Sequence, residues 1–217
     1  LEAEKRVKSN RVATSYDGND ITPKQSSLTP EDNNYVDLEF MPTTSDAMRF
    51  SDPIDSDLVD AVAFDIKKPH LGLDLKPKVD QTANSMSDTG LAIKPILSGR
   101  VLHKLNGCKP QQTTDNCGKF GNYIRTKQDI NSSTGDTAYY KVVYGNLRNG
   151  SISVGEDITV FEIFDESEDI GVMGNTGIST GTHLHIEIRR GVKNSSGKIV
   201  EHILNPRNVL PMFIDDN

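Results

Sequence analysis

The stretch THLHIEIRR, Thr182 to Arg190, alternates apolar and polar side chains without a break. Extended backbone sends successive side chains to opposite faces, so this stretch reads as a strand with two unlike faces. Thr182, Leu184, Ile186 and Ile188 make an apolar face that has to pack on a core. His183, His185, Glu187 and Arg189 make a polar one. A strand of this kind needs partners, and the chain supplies short β-branched and aromatic runs that read as strands. They are YVDLEF (35–40), LAIKPILSGRVLHKL (91–105), KFGNYIRTK (119–127), TAYYKVVYGNL (137–147) and DITVFEIF (157–164). Glycines fall between these runs, at Gly99, Gly121, Gly135, Gly150, Gly155, Gly171, Gly174, Gly177 and Gly181. No helix of ordinary length announces itself. The nearest candidates are Ser56–Ala63 and the stretch after Asn205. The pattern predicts an all-β domain with a mainly antiparallel sheet.

The domain is expected over residues 49–217. Residues 1–48 are polar, rich in Ser, Thr, Asn, Asp and Lys, and lack sustained periodicity apart from YVDLEF. They read as a linker, or as an arm that wraps another surface. Only 35% of the 217 residues are hydrophobic and there is no tryptophan, which fits a core shorter than the chain. The formal charge of −7 argues against a nucleic-acid partner held through phosphates. No apolar run is long enough to span a membrane, and no signal peptide is visible. The chain begins at Leu1 rather than Met, the expectation for a fragment or a processed product.

Cys108 and Cys117 bracket a polar loop, CKPQQTTDNC. Outside a reducing compartment two such cysteines would close a disulfide; the plainer alternative is two unpaired thiols. A zinc site built on them would need two more ligands, and only His103 lies nearby.

His183 and His185 are two of five histidines. On a strand their Cα atoms stand about 6.6 Å apart, from a rise of about 3.3 Å per residue. At that spacing one ring can bind a metal while the other addresses a water or substrate beside it. The alternative is two solvated histidines on an exposed face. A second stretch, KKPHLGLDL, places His70 four residues before Asp74. On a regular strand these are about 13 Å apart, too far to share an ion easily. A bend at Gly72 would let them converge; otherwise the pair is a surface ion pair. Two imidazoles and one carboxylate leave a fourth position open, the arrangement of a catalytic zinc rather than a structural one.

These motifs resemble those of the lysostaphin-type (LytM-like) zinc metalloendopeptidases that cut peptidoglycan cross-bridges. HLGLD (70–74) matches a His-x-x-x-Asp motif, and HLH (183–185) matches a His-x-His motif. GVMGNTGISTGTHLHIEIRR, IKPILSGRV, FGNYI and NPRNVLP are similar to the family's surrounding segments, so the resemblance covers roughly residues 50–212. It implies a twisted antiparallel sheet with a substrate groove, and zinc on His70, Asp74 and His185. It places His183 beside the attacking water, as general base or oxyanion partner. The implied partner is a peptidoglycan peptide, and the implied location is extracytoplasmic: cell envelope, secreted or virion-associated.

The pattern breaks at YGNL (144–147), where the family has Tyr-x-His-Leu and this chain has Asn146. A carboxamide can donate to an oxyanion but cannot shuttle a proton near neutral pH. Asn146 is therefore expected to hold the substrate or the oxyanion. The alternative to an enzyme is a degenerate zinc-binding module, weak or inactive, serving in a phage tail or cell-envelope assembly through residues 1–48. Four further expectations complete the reading. His103 and His202 are surface or strand histidines. Thr182 replaces a proline usual in the family and fits a strand start. Tyr123, Tyr139, Tyr140 and Tyr144 are candidates to line the groove. FDESEDI (164–170) is a solvated loop.

Overall fold

The structure is a computed structural model that describes residues 36–37, 50–65, 70–78, 90–114, 117–130, 137–155, 157–158 and 168–214. At 36–37, 62–65, 70 and 157–158 only the backbone is described. Eleven strands run through these residues: β1 (Val36–Asp37), β2 (Val59–Asp65), β3 (His70–Pro77), β4 (Ala92–Ile93), β5 (Gly99–Leu105), β6 (Asn122–Asp129), β7 (Thr137–Leu147), β8 (Asp157–Ile158), β9 (Gly171–Val172), β10 (Leu184–Lys193) and β11 (Ile199–Leu204). The fold is all-β. Nine strands form one sheet in the order β1-β11-β10-β7-β6-β5-β8, with β3 also paired to β10 and β2 to β3. β4 and β9 form a separate two-stranded sheet. Every described pairing is antiparallel except that of β1 with β11, which is parallel. Val36 and Asp37, inside the polar arm, thus add to the edge of the sheet; the rest of residues 1–48 lies outside the described residues.

The alternation of β10 produces the expected apolar face. Leu184, Ile186 and Ile188 are fully buried. Leu73 and Leu75 of β3, Ile124 of β6, Tyr140, Val142 and Tyr144 of β7, and Leu204 of β11 join them in one cluster. Fully burying each such side chain contributes roughly 1.5–3 kcal/mol, so the central strands carry much of the core. Phe50, Ile54, Ile93, Ile96, Leu97, Ile170, Met173 and Leu210 complete it. The Tyr144 hydroxyl accepts a hydrogen bond from the Ile96 amide at 2.7 Å.

Several expectations change. Within Ser56–Ala63 only Ser56–Leu58 is helical, a single 3-10 turn capped by the Asp55 side chain, and β2 begins at Val59. The stretch after Asn205 makes two further 3-10 turns, Pro206–Asn208 and Pro211–Phe213. Prolines at their first positions favour helical entry, but three residues are too few to propagate. Tyr140 and Tyr144 cannot line a groove: even-numbered on β7, they share the parity of Val142 and are fully buried. Within FDESEDI, Glu168 and Asp169 are exposed, but Ile170 belongs to the core; residues 164–167 lie outside the described ones.

Cys108 and Cys117 form a disulfide, with Cα atoms 5.6 Å apart. The loop they close is tied down on both sides. The Asn122 side chain accepts from the Cys108 amide and donates to the Cys108 carbonyl, at 2.7 and 2.8 Å. The Gln111 amide donates to Asn175 at 2.8 Å. Among the described residues no helix is long and apolar enough to cross a membrane.

Candidate metal centre and active site

Asp74 of β3 and His185 of β10 are directly paired across two strands, and Gly145 of β7 faces His185 from the other side. Cross-strand partners hold their Cβ atoms about 4.5–5.5 Å apart, so two motifs distant in sequence meet by register alone. Asp74 Oδ1 lies 3.0 Å from His185 Nδ1 and 3.8 Å from His183 Nε2. His183 stands just before β10, where its amide donates to the Gly174 carbonyl at 3.1 Å. The polar face of the strand is therefore not a solvated one: His183, His185 and Glu187 are all buried.

Room for the His185 ring comes from a missing side chain. A Cβ on Gly72 would fall 2.5 Å from His185 Cε1 and 2.6 Å from both His185 Nε2 and the Ile186 carbonyl oxygen. Gly72 does not take a left-handed conformation. Its part is thus not the bend read from the sequence but the space it leaves. The pairing of β2 with β3 does slip here: Ala63 faces Asp74 while Asp65 faces His70. Two extra residues of β3 lie between His70 and Asp74, an irregularity of the bulge kind. Phe120 closes the other side of the ring at 5.4 Å between centroids.

The two imidazoles are held in different states. His183 Nδ1 lies 2.8 Å from the Gly181 carbonyl and 3.1 Å from the Ser179 hydroxyl. A carbonyl only accepts, so Nδ1 carries the hydrogen and Nε2 is the bare nitrogen turned toward Asp74. Burial lowers the His183 pKa, outweighing the charge of Asp74 and the Gly181 hydrogen bond, which raise it. At neutral pH the ring is therefore uncharged. His185 sits between two carboxylates, Asp74 at Nδ1 and Glu187 Oε1 at 3.4 Å from Nε2. Burial lowers its pKa too, but hydrogen bonds to Asp74 and Glu187 and their charges prevail, and the net shift is upward.

Glu187 was read only as part of the polar face, and it belongs to the site. Lys119 Nζ lies 3.0 Å from its Oε1, and Arg189 Nη2 3.2 Å from its Oε2. Burial raises its pKa, but the His185 hydrogen bond and the Lys119 charge bring it down to about 2. Its spacing from His185, two residues on one strand, was the signal that could have found it. No comparable signal marked Lys119, Phe120 or Ser179, which reach the site from loops.

Two ligands of one tetrahedral zinc, each about 2.0–2.2 Å from it, stand roughly 3.3–3.6 Å apart. Asp74 Oδ1 and His185 Nδ1, at 3.0 Å, are within a few tenths of an ångström of that separation, and the donor chemistry suits zinc. Among the described residues no three His, Cys, Asp or Glu side chains form a complete metal-holding group. The third expected ligand, His70, opens β3, and its side chain lies outside the described residues.

Asn146 does not present its amide to the histidines. It occupies a bulge: Gly145 and Asn146 lie between Tyr144 and Leu147, opposite Tyr123 alone on β6. Its φ is +60°, in the left-handed region where asparagine and histidine are enriched. Nδ2 donates to the Thr176 carbonyl at 2.7 Å and to the Lys119 carbonyl at 3.4 Å. Both partners are acceptors, so the nitrogen must face them, and both amide hydrogens join loops rather than await an oxyanion. His103 is exposed on β5, stacked on Tyr123 and 2.9 Å from its hydroxyl. His202 is half-buried on β11 opposite Arg190. Thr182 lies just before the strand start, half-buried.

No protein-family model matches the chain, and no curated protein matches it significantly. Solved structures do. A zinc-containing peptidase from Vibrio cholerae is 22% identical, with a TM-score of 0.43 over 70% of this chain and 39% of that one. The antimicrobial peptidase lysostaphin from Staphylococcus simulans is 19% identical, with a TM-score of 0.42 over 71% of this chain and 50% of its own. The catalytic domain of the prophage-encoded M23 protein EnpA from Enterococcus faecalis is 19% identical, with a TM-score of 0.39 over 71% of this chain and 94% of that domain. The chain thus spans half or less of the first and second of these proteins and nearly all of the third.

Proposed function

We propose that this protein is a zinc-dependent endopeptidase that hydrolyses peptide bonds in peptidoglycan. The observation that carries the reading is the meeting of the His-x-x-x-Asp and His-x-His stretches at one point, with Asp74 Oδ1 3.0 Å from His185 Nδ1. Asp74 and His185, with His70, would hold the zinc. When bound, the ion would polarise the scissile carbonyl and make water acidic enough to attack near neutral pH. His183 takes the proton. Its Nδ1 hydrogen is fixed on the Gly181 carbonyl, so Nε2 is free to act as general base, and burial keeps the ring neutral until that moment. Asn146 shapes the wall beside this point by pinning the Lys119 and Thr176 segments together. The disulfide suits an extracytoplasmic setting, and residues 1–48 would join the domain to an envelope or virion assembly.

One observation favours the second reading, a zinc-binding module without turnover: the engaged amide of Asn146 leaves that position no donor for an oxyanion. Losing one such donor typically lowers the rate about 10²–10³-fold. Zinc content and peptidoglycan release, measured on the same purified samples, decide between the two. The expected result is about one zinc per chain, lost in His185→Ala, with slow release that His183→Ala lowers by about 10²–10⁴-fold. Zinc without release, restored by Asn146→His, would move the assignment to the inactive module. No zinc in the native chain would sink both.

A further inference from the structure

We propose that Glu187 is the positioning residue that aims His185, holding its Nε2 hydrogen so that Nδ1 is the atom left facing Asp74. This rests on the reading of His185 as a zinc ligand. Glu187 follows His185 by two residues on β10, so both side chains rise from one face of the sheet. Its Oε1 lies 3.4 Å from His185 Nε2. An ionised carboxylate only accepts, so a hydrogen on Nε2 is what it selects. Carboxylates that hold the second nitrogen of a metal-binding histidine set its tautomer and ring orientation.

Three features say that this contact is built rather than incidental. First, Glu187 is 2% exposed in the middle of a sheet, a place where a charge is costly without partners. Second, it has partners of the right sign on both oxygens: Lys119 Nζ at 3.0 Å on Oε1 and Arg189 Nη2 at 3.2 Å on Oε2. Arg189 in turn reaches Glu201 at 3.6 Å, which anchors the guanidinium from its far side. Third, the ring that Glu187 addresses has little freedom to turn away, with Gly72 leaving space for Cε1 and Nε2 and Phe120 packed at 5.4 Å. Lys119 and Phe120 are neighbours in sequence, so one loop next to the Cys108–Cys117 disulfide supplies both the counter-charge and the packing.

The test is made on the full chain with zinc alone as the probe. Competition against a chromophoric chelator gives the zinc affinity of the native protein and of Glu187→Gln. The variant is expected to bind about ten- to a hundred-fold more weakly. Long-range nitrogen–proton NMR spectra of the imidazoles give the tautomer of His185 in the zinc-loaded native chain, expected with its hydrogen on Nε2. That measurement stands even where Glu187→Gln fails to fold. A hydrogen on Nδ1, or a folded Glu187→Gln that binds zinc as tightly as the native chain, overturns the role of Glu187 and leaves the metal site intact. Absence of zinc binding by the native chain overturns the metal reading and this inference with it.

Discussion

A single asparagine shows how far a residue's chemistry depends on where its hydrogens go. The sequence places Asn146 where a carboxamide could serve an oxyanion. The structure puts it in a bulge with φ +60° and engages both amide hydrogens with main-chain carbonyls. Replacing it by alanine removes buried donors, about 1–3 kcal/mol, and puts a Cβ into left-handed backbone, about 1–2 kcal/mol. Asn146→Gly removes the donors but not the backbone freedom. In chemical denaturation Asn146→Ala should therefore be the less stable of the two by about 1 kcal/mol, and both should fall below the native chain. An Asn146→Ala protein as stable as the native one would show that the amide joins nothing.

At the scale of elements, β10 is where charge and core are brought together. Its even side chains are the centre of the apolar cluster, and its odd ones carry two buried histidines and a buried glutamate. The pH dependence of stability follows from the last two. Glu187 has its pKa brought from 4.5 to about 2, so its contribution is fully present above about 4.5 and is lost as pH falls through about 2. By linkage it is on the order of 2–3 kcal/mol. Glu201 is also shifted down; burial raises its pKa, but hydrogen bonds from Lys141 and Tyr139 prevail, and it acts in the same direction. His185 is shifted up from 6.5; its contribution is complete below about 6.5 and is lost as pH rises through the folded value. In the metal-free protein, melting temperature should therefore peak between about pH 4.5 and 6.5 and fall on both sides. A flat profile from pH 3 to pH 8, measured in chelator at constant ionic strength, would contradict these assignments.

For the molecule as a whole, the site depends on loops that the sheet does not itself hold. The segment from Cys108 to Gly121 brings Lys119 and Phe120 over His185, and a disulfide closes its base. Cross-linking a loop of this length stabilises by roughly 2–3 kcal/mol through the unfolded chain. Reduction, or Cys108→Ser with Cys117→Ser, should lower the denaturation midpoint by that amount with the slope little changed. An unchanged midpoint would mean that the Asn122 and Gln111 hydrogen bonds hold the loop without the bond.

What the sequence determined by itself was periodic or local. Alternation from Thr182 to Arg190 settled a strand, its apolar face and the all-β class. The spacing of Cys108 and Cys117 pointed to their bond, because a short loop keeps its ends close in any fold. Glu187 was within reach of the same alternation. The tertiary structure alone decided which strand lies beside which, and so that Asp74 faces His185, since register is a property of two strands and is written in neither. It also decided that the polar face of β10 is buried, because the Lys119–Phe120 loop covering it is not adjacent in sequence. The use of Gly72 was settled the same way: the atom it makes room for belongs to a ring 113 residues further along the chain. Asn146 is the clearest instance, since the carbonyls that take its hydrogens come from two loops that only the folded chain brings to it.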